Sequence, residues 1–293
     1  MTRVSDAMFF SSLSRGVGRA EKRAYAAQTR AQTGLRVNKP SDDPVVASRA
    51  SVMRAQLARL DTMDHVSARA ATQLAASGRA LDETISIVST VRTMARSAAG
   101  GTVDTTGMSD LAVNVAAQQT ALLATANTST DAGYVFGGYL DQSPPFQATG
   151  AYVGDAGVRS VEVAPGQRVA TGVSGAQAFT AAGGQDVFAV VEAVRVALAA
   201  GDRAAATAQL GAIDGALAQL KAARVQVGAS ADAVKGADAS RVTARNQLQT
   251  SYDLAMKIDD ATASVDMLAA QNALEAATRQ ASSVLSMLAS LQR

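Results

Sequence analysis

From Met53 to Ala95 the apolar residues keep one register. Met53, Leu57, Leu60, Ala71, Leu74, Leu81, Ile85, Val88 and Ala95 are separated by sums of three and four, the spacing that lays a single stripe along an α-helix. Asp64, Ser67, Gly78 and Arg92 interrupt the stripe, and Met63, Val66 and Ala70 fill part of its weak middle from the neighbouring row. The pattern predicts one helix from about 44 to 98, on the order of 80 Å long at 1.5 Å per residue. A helix of that length has to lie along other long helices. The composition agrees. Hydrophobic residues make up 48% of the 293, but aromatics only 4%, and Trp is absent. Such a chain, with alanine supplying much of its apolar content, suits closely packed helices better than a thick core of large rings.

The stretch Gly34 to Ala50 separates this helix from the one before it. Gly34 can take the left-handed conformation that ends a helix. Pro40 and Pro44 fix φ, remove backbone donors and push Lys39 and Asp43 out of the helical region. Asp42 and Asp43 are good N-cap residues. With Asp43 as the cap, Pro44 takes the first helical position, where a missing N–H costs nothing.

Both ends of the chain carry a heptad seam. Phe10, Leu13, Val17, Ala20, Ala24, Ala27 and Ala31 form the first; Met267, Ala270, Leu274, Ala277, Ala281, Val284, Leu288 and Leu291 form the second. Alanine knobs bury little area, so the N-terminal seam needs a partner to cover it. Large apolar residues this close to a C-terminus are likewise exposed unless something covers them.

Between the long helices the texture changes. Gly100-Gly101 ends the 44–98 pattern, and Leu111, Val115, Leu122 and Ala126 mark a second helix. From Asp131 to Gly184 glycines are frequent and three of the five prolines occur. The alternating runs Val158–Val163 and Arg168–Ala170 flank the turn dipeptide Pro165-Gly166, which predicts antiparallel hairpins. Helical patterns return at about Asp186, break at Gly201-Asp202, and resume at Leu210. No proline follows, so one helix could run on to the C-terminus.

Several function classes are excluded. There is no Cys and a single His; His65 lies in the polar interruption of the long helix and reads as a solvated face rather than a ligand. Thiolate sites, His-rich metal centres and His-based triads are therefore out of reach. Asp42-Asp43, Asp82-Glu83 and Asp259-Asp260 are adjacent carboxylates. Neighbours on a helix point about 100° apart, so these pairs read as caps and solvated faces, not acid/base machinery. No cofactor is expected. A net charge of +2 does not suggest a nucleic-acid patch. No apolar run is long enough to span a bilayer, and the N-terminus lacks a cleavable signal peptide. The sequon Asn127-Thr128-Ser129 reads as coincidence.

The order of long helices, β-rich insert and long helices, with seams at both ends, resembles the flagellin family of bacterial flagella. Thr33-Gly34-Leu35-Arg36-Val37-Asn38 followed by Asp42-Asp43 is similar to that family's N-terminal signature. Pro40-Ser41-Asp42-Asp43-Pro44, Gly133-Tyr134-Val135-Phe136-Gly137-Gly138-Tyr139 and Pro144-Pro145-Phe146 resemble its hook–filament junction branch more than filament flagellin. The ending Ser286–Arg293 is rather flagellin-like, and filament flagellin is the alternative. The resemblance implies a mainly α fold with a small β-rich insert. Long antiparallel helices would form a coiled-coil or helical-bundle rod whose terminal helices pair on assembly. It divides the chain into a terminal assembly region (1–43 and 257–293), a helical rod (44–130 and 185–256) and an outer insert (131–184). It implies a structural, non-enzymatic adaptor, exported unfolded with the help of an export chaperone and located outside the cell in the flagellum. Its partners would be copies of itself in a ring or tube, the adjacent hook-associated protein and flagellin. The residues expected to carry assembly are Phe10, Leu13, Val17, Pro40, Asp42, Asp43, Pro44, Met267, Leu274, Val284, Leu288 and Leu291.

Overall fold

A computed structural model describes the backbone of residues 2–291 and the side chains of Met8 and residues 10–287. The fold is mainly helical, with two small antiparallel sheets of two strands each. It divides into two compact units, one formed by residues 1–59 and 244–293, the other by 60–243. No helix among the described residues is long and apolar enough to cross a membrane.

Two helices contribute to both units: α2 (Pro44–Ala99) and α7 (Leu210–Met256). In the 60–243 unit, Leu74, Leu81, Val88, Val91 and Ala95 of α2 and Ile213, Leu217, Leu220, Val227 and Val234 of α7 are buried in one core. Leu74, Leu81, Val88 and Ala95 belong to the stripe read from the three-four register, whereas Ala71 of that stripe is exposed and Ala70 of the neighbouring row is buried instead. Gly78, one of its interruptions, faces the Arg224 guanidinium at 3.5 Å from where a Cβ would sit. His65 is exposed.

Helix α3 (Thr105–Ala126) packs on α5 (Val187–Ala199). Helix starts here use one device. The side chains of Asp104, Asp186 and Asp202 accept from the backbone N–H groups of Gly107, Ala189 and Ala205. Asp202 opens the short α6 (Arg203–Ala208) directly after Gly201, whose φ of +67° terminates the preceding turn. Each cap satisfies one of the donors a helix leaves orphaned at its first turn.

The insert contains less strand than its alternating runs suggest. Strands β1 (Ser129–Thr130) and β2 (Gly133–Tyr134) form one ladder, and β3 (Ser160–Ala164) and β4 (Gln167–Ala170) the other. The Pro165-Gly166 turn connects β3 and β4 as expected, with an irregularity between Glu162 and Ala164. Most of the remaining insert is irregular backbone, apart from the short α4 (Gly175–Phe179). Aromatic packing holds it. Phe146 lies 5.2 Å from Phe179, 5.2 Å from Phe188 of α5 and 5.1 Å from Tyr152, and Phe136 meets Phe179 edge-on at 5.0 Å. Offset and edge-to-face rings at these separations add to the area they bury.

Polar side chains pin the same loops. The Tyr152 hydroxyl donates to the carbonyls of Phe136 and Asp155, and burial pushes its pKa up from the ordinary phenol value. Asn127 donates to the Phe146 carbonyl at 2.9 Å and accepts its N–H at 3.0 Å. That side chain is committed to the loop. Gly138 sits at φ +70°, and a Cβ there would lie 2.3 Å from an Asp155 carboxylate oxygen. The Gly-Gly in the Phe136–Tyr139 turn thus answers a steric demand, since only glycine combines that φ with so close an approach.

Candidate assembly interface

In the 1–59/244–293 unit, helix α1 (Thr2–Thr33) packs against α8 (Asp260–Leu291). The two terminal seams face each other. Ala27 and Ala263 are buried, while Leu13, Val17, Ala20, Ala24, Ala31, Met267, Ala270, Leu274, Ala277, Ala281 and Val284 are half-buried. Arg30 of α1 approaches Asp266 of α8 at 3.9 Å. Phe10, at the outer end of the first seam, is 56% exposed. The side chains of Leu288 and Leu291 lie outside the described residues.

A two-helix contact made largely of alanine leaves most of each helix uncovered. Tyr25 on α1 and Val265, Leu268, Leu285 and Met287 on α8 remain exposed. Burial of a fully covered valine or leucine is worth about 1.5–3 kcal/mol, so this surface gains by meeting further helices.

The link from α1 to α2 is built from its own side chains. Gly34, at φ +66°, donates its N–H to the Arg30 carbonyl and closes α1. Asp42 accepts from the backbone N–H groups of Asn38 (3.0 Å) and Lys39 (2.9 Å), which fixes the turn ahead of Pro44. Asp43 accepts from Val46 N–H at 3.0 Å, while its carbonyl takes the first helical bond from Ala47. Asp43 is thus the N-cap and Pro44 the first helical residue, as the sequence indicates. Both prolines are exposed. Arg36 reaches the Asp43 carboxylate at 3.5 Å. Replacing Asp43 by alanine should cost about 1 kcal/mol of local helix stability. Hydrogen exchange at Val46 and Ala47 should read this as roughly fivefold faster opening.

Sequence reasoning missed the counterpart of this link. The C-terminal helix does not run on from α7. Helix α7 ends at Met256 and α8 begins at Asp260. The break faces the Gly34–Arg36 segment: Arg36 N–H donates to the Met256 carbonyl at 2.7 Å, Ile258 N–H donates to the Gly34 carbonyl at 3.0 Å, and Leu35 pairs with Lys257 as an antiparallel bridge. The Arg36 guanidinium also donates to the Ala255 carbonyl at 3.2 Å. Asp259 then caps α8 through Thr262 N–H at 3.1 Å. Val37, Ala50 and Met256 are buried beneath, with Leu35, Val46, Ala47 and Tyr252 around them. Arg54 lies over the Tyr252 ring at 5.6 Å. The two interhelix links are thus a single backbone ladder with a small apolar plug. The signal available in the sequence was Asp259-Asp260, a capping pair without a glycine or proline ahead of it.

Comparison with known proteins agrees with this arrangement. Residues 4–139 match the family described as the bacterial flagellin N-terminal helical region. Flagellar hook-associated protein 3 of Salmonella typhimurium is 27% identical over 179 residues, which is 60% of this chain and 56% of that protein. The match therefore spans little more than half the length of this curated relative. Among solved structures, a putative flagellar hook-associated protein from Vibrio parahaemolyticus superposes with a TM-score of 0.66 at 18% identity, covering 73% of this chain and 99% of that one. Xanthomonas campestris FlgL superposes with a TM-score of 0.61 at 16% identity, covering 68% and 98%. These structures share the fold. Residues 4–139 are thus similar to the bacterial flagellin N-terminal helical region, and the chain shares its long-helix fold with the hook-associated structures.

Proposed function

We propose that the chain is a structural adaptor subunit at the hook–filament junction of the bacterial flagellum. The observation that carries this reading is the half-covered α1–α8 pair, whose outward apolar residues Tyr25, Val265 and Leu268 are exposed. The relative's name supports the junction rather than the filament, because that protein is called a flagellar hook-associated protein.

On this reading the terminal region (1–43 and 257–293) is the assembly element, 44–130 and 185–256 form the rod, and 131–184 form the outer face. Phe10, Leu13, Val17, Met267, Leu274, Val284, Leu288 and Leu291 supply apolar contacts to neighbouring subunits. Pro40, Asp42, Asp43 and Pro44 hold the two N-terminal helices apart as separate bodies. The partners are further copies of the chain in a ring or tube, the adjacent hook-associated protein and flagellin, with an export chaperone before assembly. The subunit leaves the cell unfolded and without loss of a signal peptide, and the mechanism is folding coupled to association. No catalytic step is involved.

Deletion of residues 268–293 tests this reading. The truncated chain should retain the far-UV signature and cooperative unfolding of its 60–243 unit. Cells that carry it should make hooks without filaments and release flagellin into the medium. Filaments of normal length on those cells would overturn the assignment. Seeded growth of the purified full chain into long filaments would instead identify it as filament flagellin.

A further inference from the structure

The 60–243 unit contains a cavity of about 300 Å³ that the assembly reading does not use. It opens between α2 and the insert, and its volume falls at the lower end of the range of small-molecule sites. Val66 of α2 and Val135, Val161 and Val173 of the insert supply apolar walls.

Three donors line the same space without partners among the described residues. Arg69 is exposed at the rim, and its guanidinium makes no ion pair or hydrogen bond. Gln73 uses its carbonyl oxygen to accept the Thr130 hydroxyl at 2.6 Å, leaving its NH₂ available. The Tyr134 hydroxyl is also unengaged. Arg69 and Gln73 are four residues apart on α2, so their side chains emerge side by side about one turn apart. Val66 and Gln73, seven apart, share that face.

The one carboxylate in the lining, Asp141, is neutralised. Arg159 meets it at 2.5 Å and Gln142 donates to its other oxygen at 2.9 Å. The cavity therefore has apolar walls, side-chain donors left unanswered, and one uncompensated positive charge at its mouth. We propose that it binds a small apolar carboxylate. The hydrocarbon part lies among the valines, and the carboxylate accepts from Arg69 and Gln73. A guanidinium is suited to this because its forked N–H groups match the two carboxylate oxygens. An apolar neutral ligand would leave the donors unanswered, and a bare phosphate would leave the valine walls uncovered.

The test uses the full chain with labelled valine methyls and two probes of equal shape, 3-phenylpropionate and 3-phenylpropionamide. The acid should shift the methyls of Val66, Val135, Val161 and Val173 saturably, and bind about tenfold more tightly than the amide. Arg69→Gln should bring the acid to within about twofold of the amide while leaving the amide's affinity unchanged. Val161→Phe should fill the space and abolish binding of both. Arg69 is exposed, so its variant reports on the site even if the Val161 variant fails to fold. Absence of saturable shifts up to about 10 mM, equal affinity for acid and amide, or an acid preference that survives Arg69→Gln would each overturn the proposal.

Discussion

Replacing Phe179 by alanine should destabilise the 60–243 unit by about 3–5 kcal/mol. Phe179 is fully buried, and its ring meets Phe136 at 5.0 Å, Phe146 at 5.2 Å and Phe188 at 6.2 Å. Removing it deletes a large apolar area and leaves a void that three neighbouring rings can fill only by abandoning their offset geometry. The surrounding loop cannot collapse easily, because Asn127 and Tyr152 fix the backbone at Phe146 and Phe136. The melting transition of this unit should fall by about 10 °C, given the usual shift per kcal/mol for a unit of this size. Hydrogen exchange of α1 and α8, which belong to the other unit, should be unchanged under conditions where the 60–243 unit remains folded. A loss below about 1 kcal/mol would mean that the aromatic cluster is not what anchors the insert.

Arg241→Ala should cost about 2–3 kcal/mol. The Arg241 side chain is 3% exposed and forks between three acceptors: the Asp64 carboxylate at 2.8 Å, the Asp238 carboxylate and the Val163 carbonyl of β3. Breaking a fully buried pair costs about 3–5 kcal/mol. Here the carboxylates keep contact with water, at 37% and 45% exposure, which lowers the penalty. The Val163 carbonyl nonetheless loses its donor inside the core, a cost of about 1–3 kcal/mol. Lysine keeps the charge but has no planar fork to reach three acceptors, so Arg241→Lys should recover less than half of the loss. Chemical denaturation of the two variants measures this. Full stability of the lysine variant would show that charge alone, rather than the forked geometry, matters at this site.

The two variants probe contacts that differ in how visible they are in the chain. The α1–α2 link was legible because its determinants are local: Gly34, Asp43 and Pro44 act on their own backbone within a few residues. The long helix α2 was legible because most of its apolar stripe survives four interruptions between Met53 and Ala95. The end of α7 at Met256 was not, because Lys257 and Ile258 are ordinary helix formers. What stops the helix is the ladder to Gly34 and Arg36, more than two hundred residues away. The insert was read as hairpins from its alternation, yet only nine residues enter β3 and β4. Aromatic packing holds the rest, and its link to Phe188 of α5 crosses a stretch that reads simply as helix. The terminal seams of α1 and α8 were legible as stripes. Their mutual packing and the Arg30–Asp266 contact depend on the register between two distant helices.

The ladder at Gly34–Arg36 and Met256–Ile258 also fixes an order of events. Arg36 and its acceptor at Ala255 are separated by 219 positions. An N-terminal segment emerging first has no backbone partner there until nearly the whole chain has followed. Closing so long a loop from an unfolded chain is slow. Once the intervening unit has folded, with Asp64 and Arg241 already joined, the loop left to close is only a few tens of residues. The terminal unit is therefore a late-closing latch. A chain halted before residue 256 lacks the Met256 carbonyl and the Ile258 N–H that complete the ladder, so α1 has nothing there to close on.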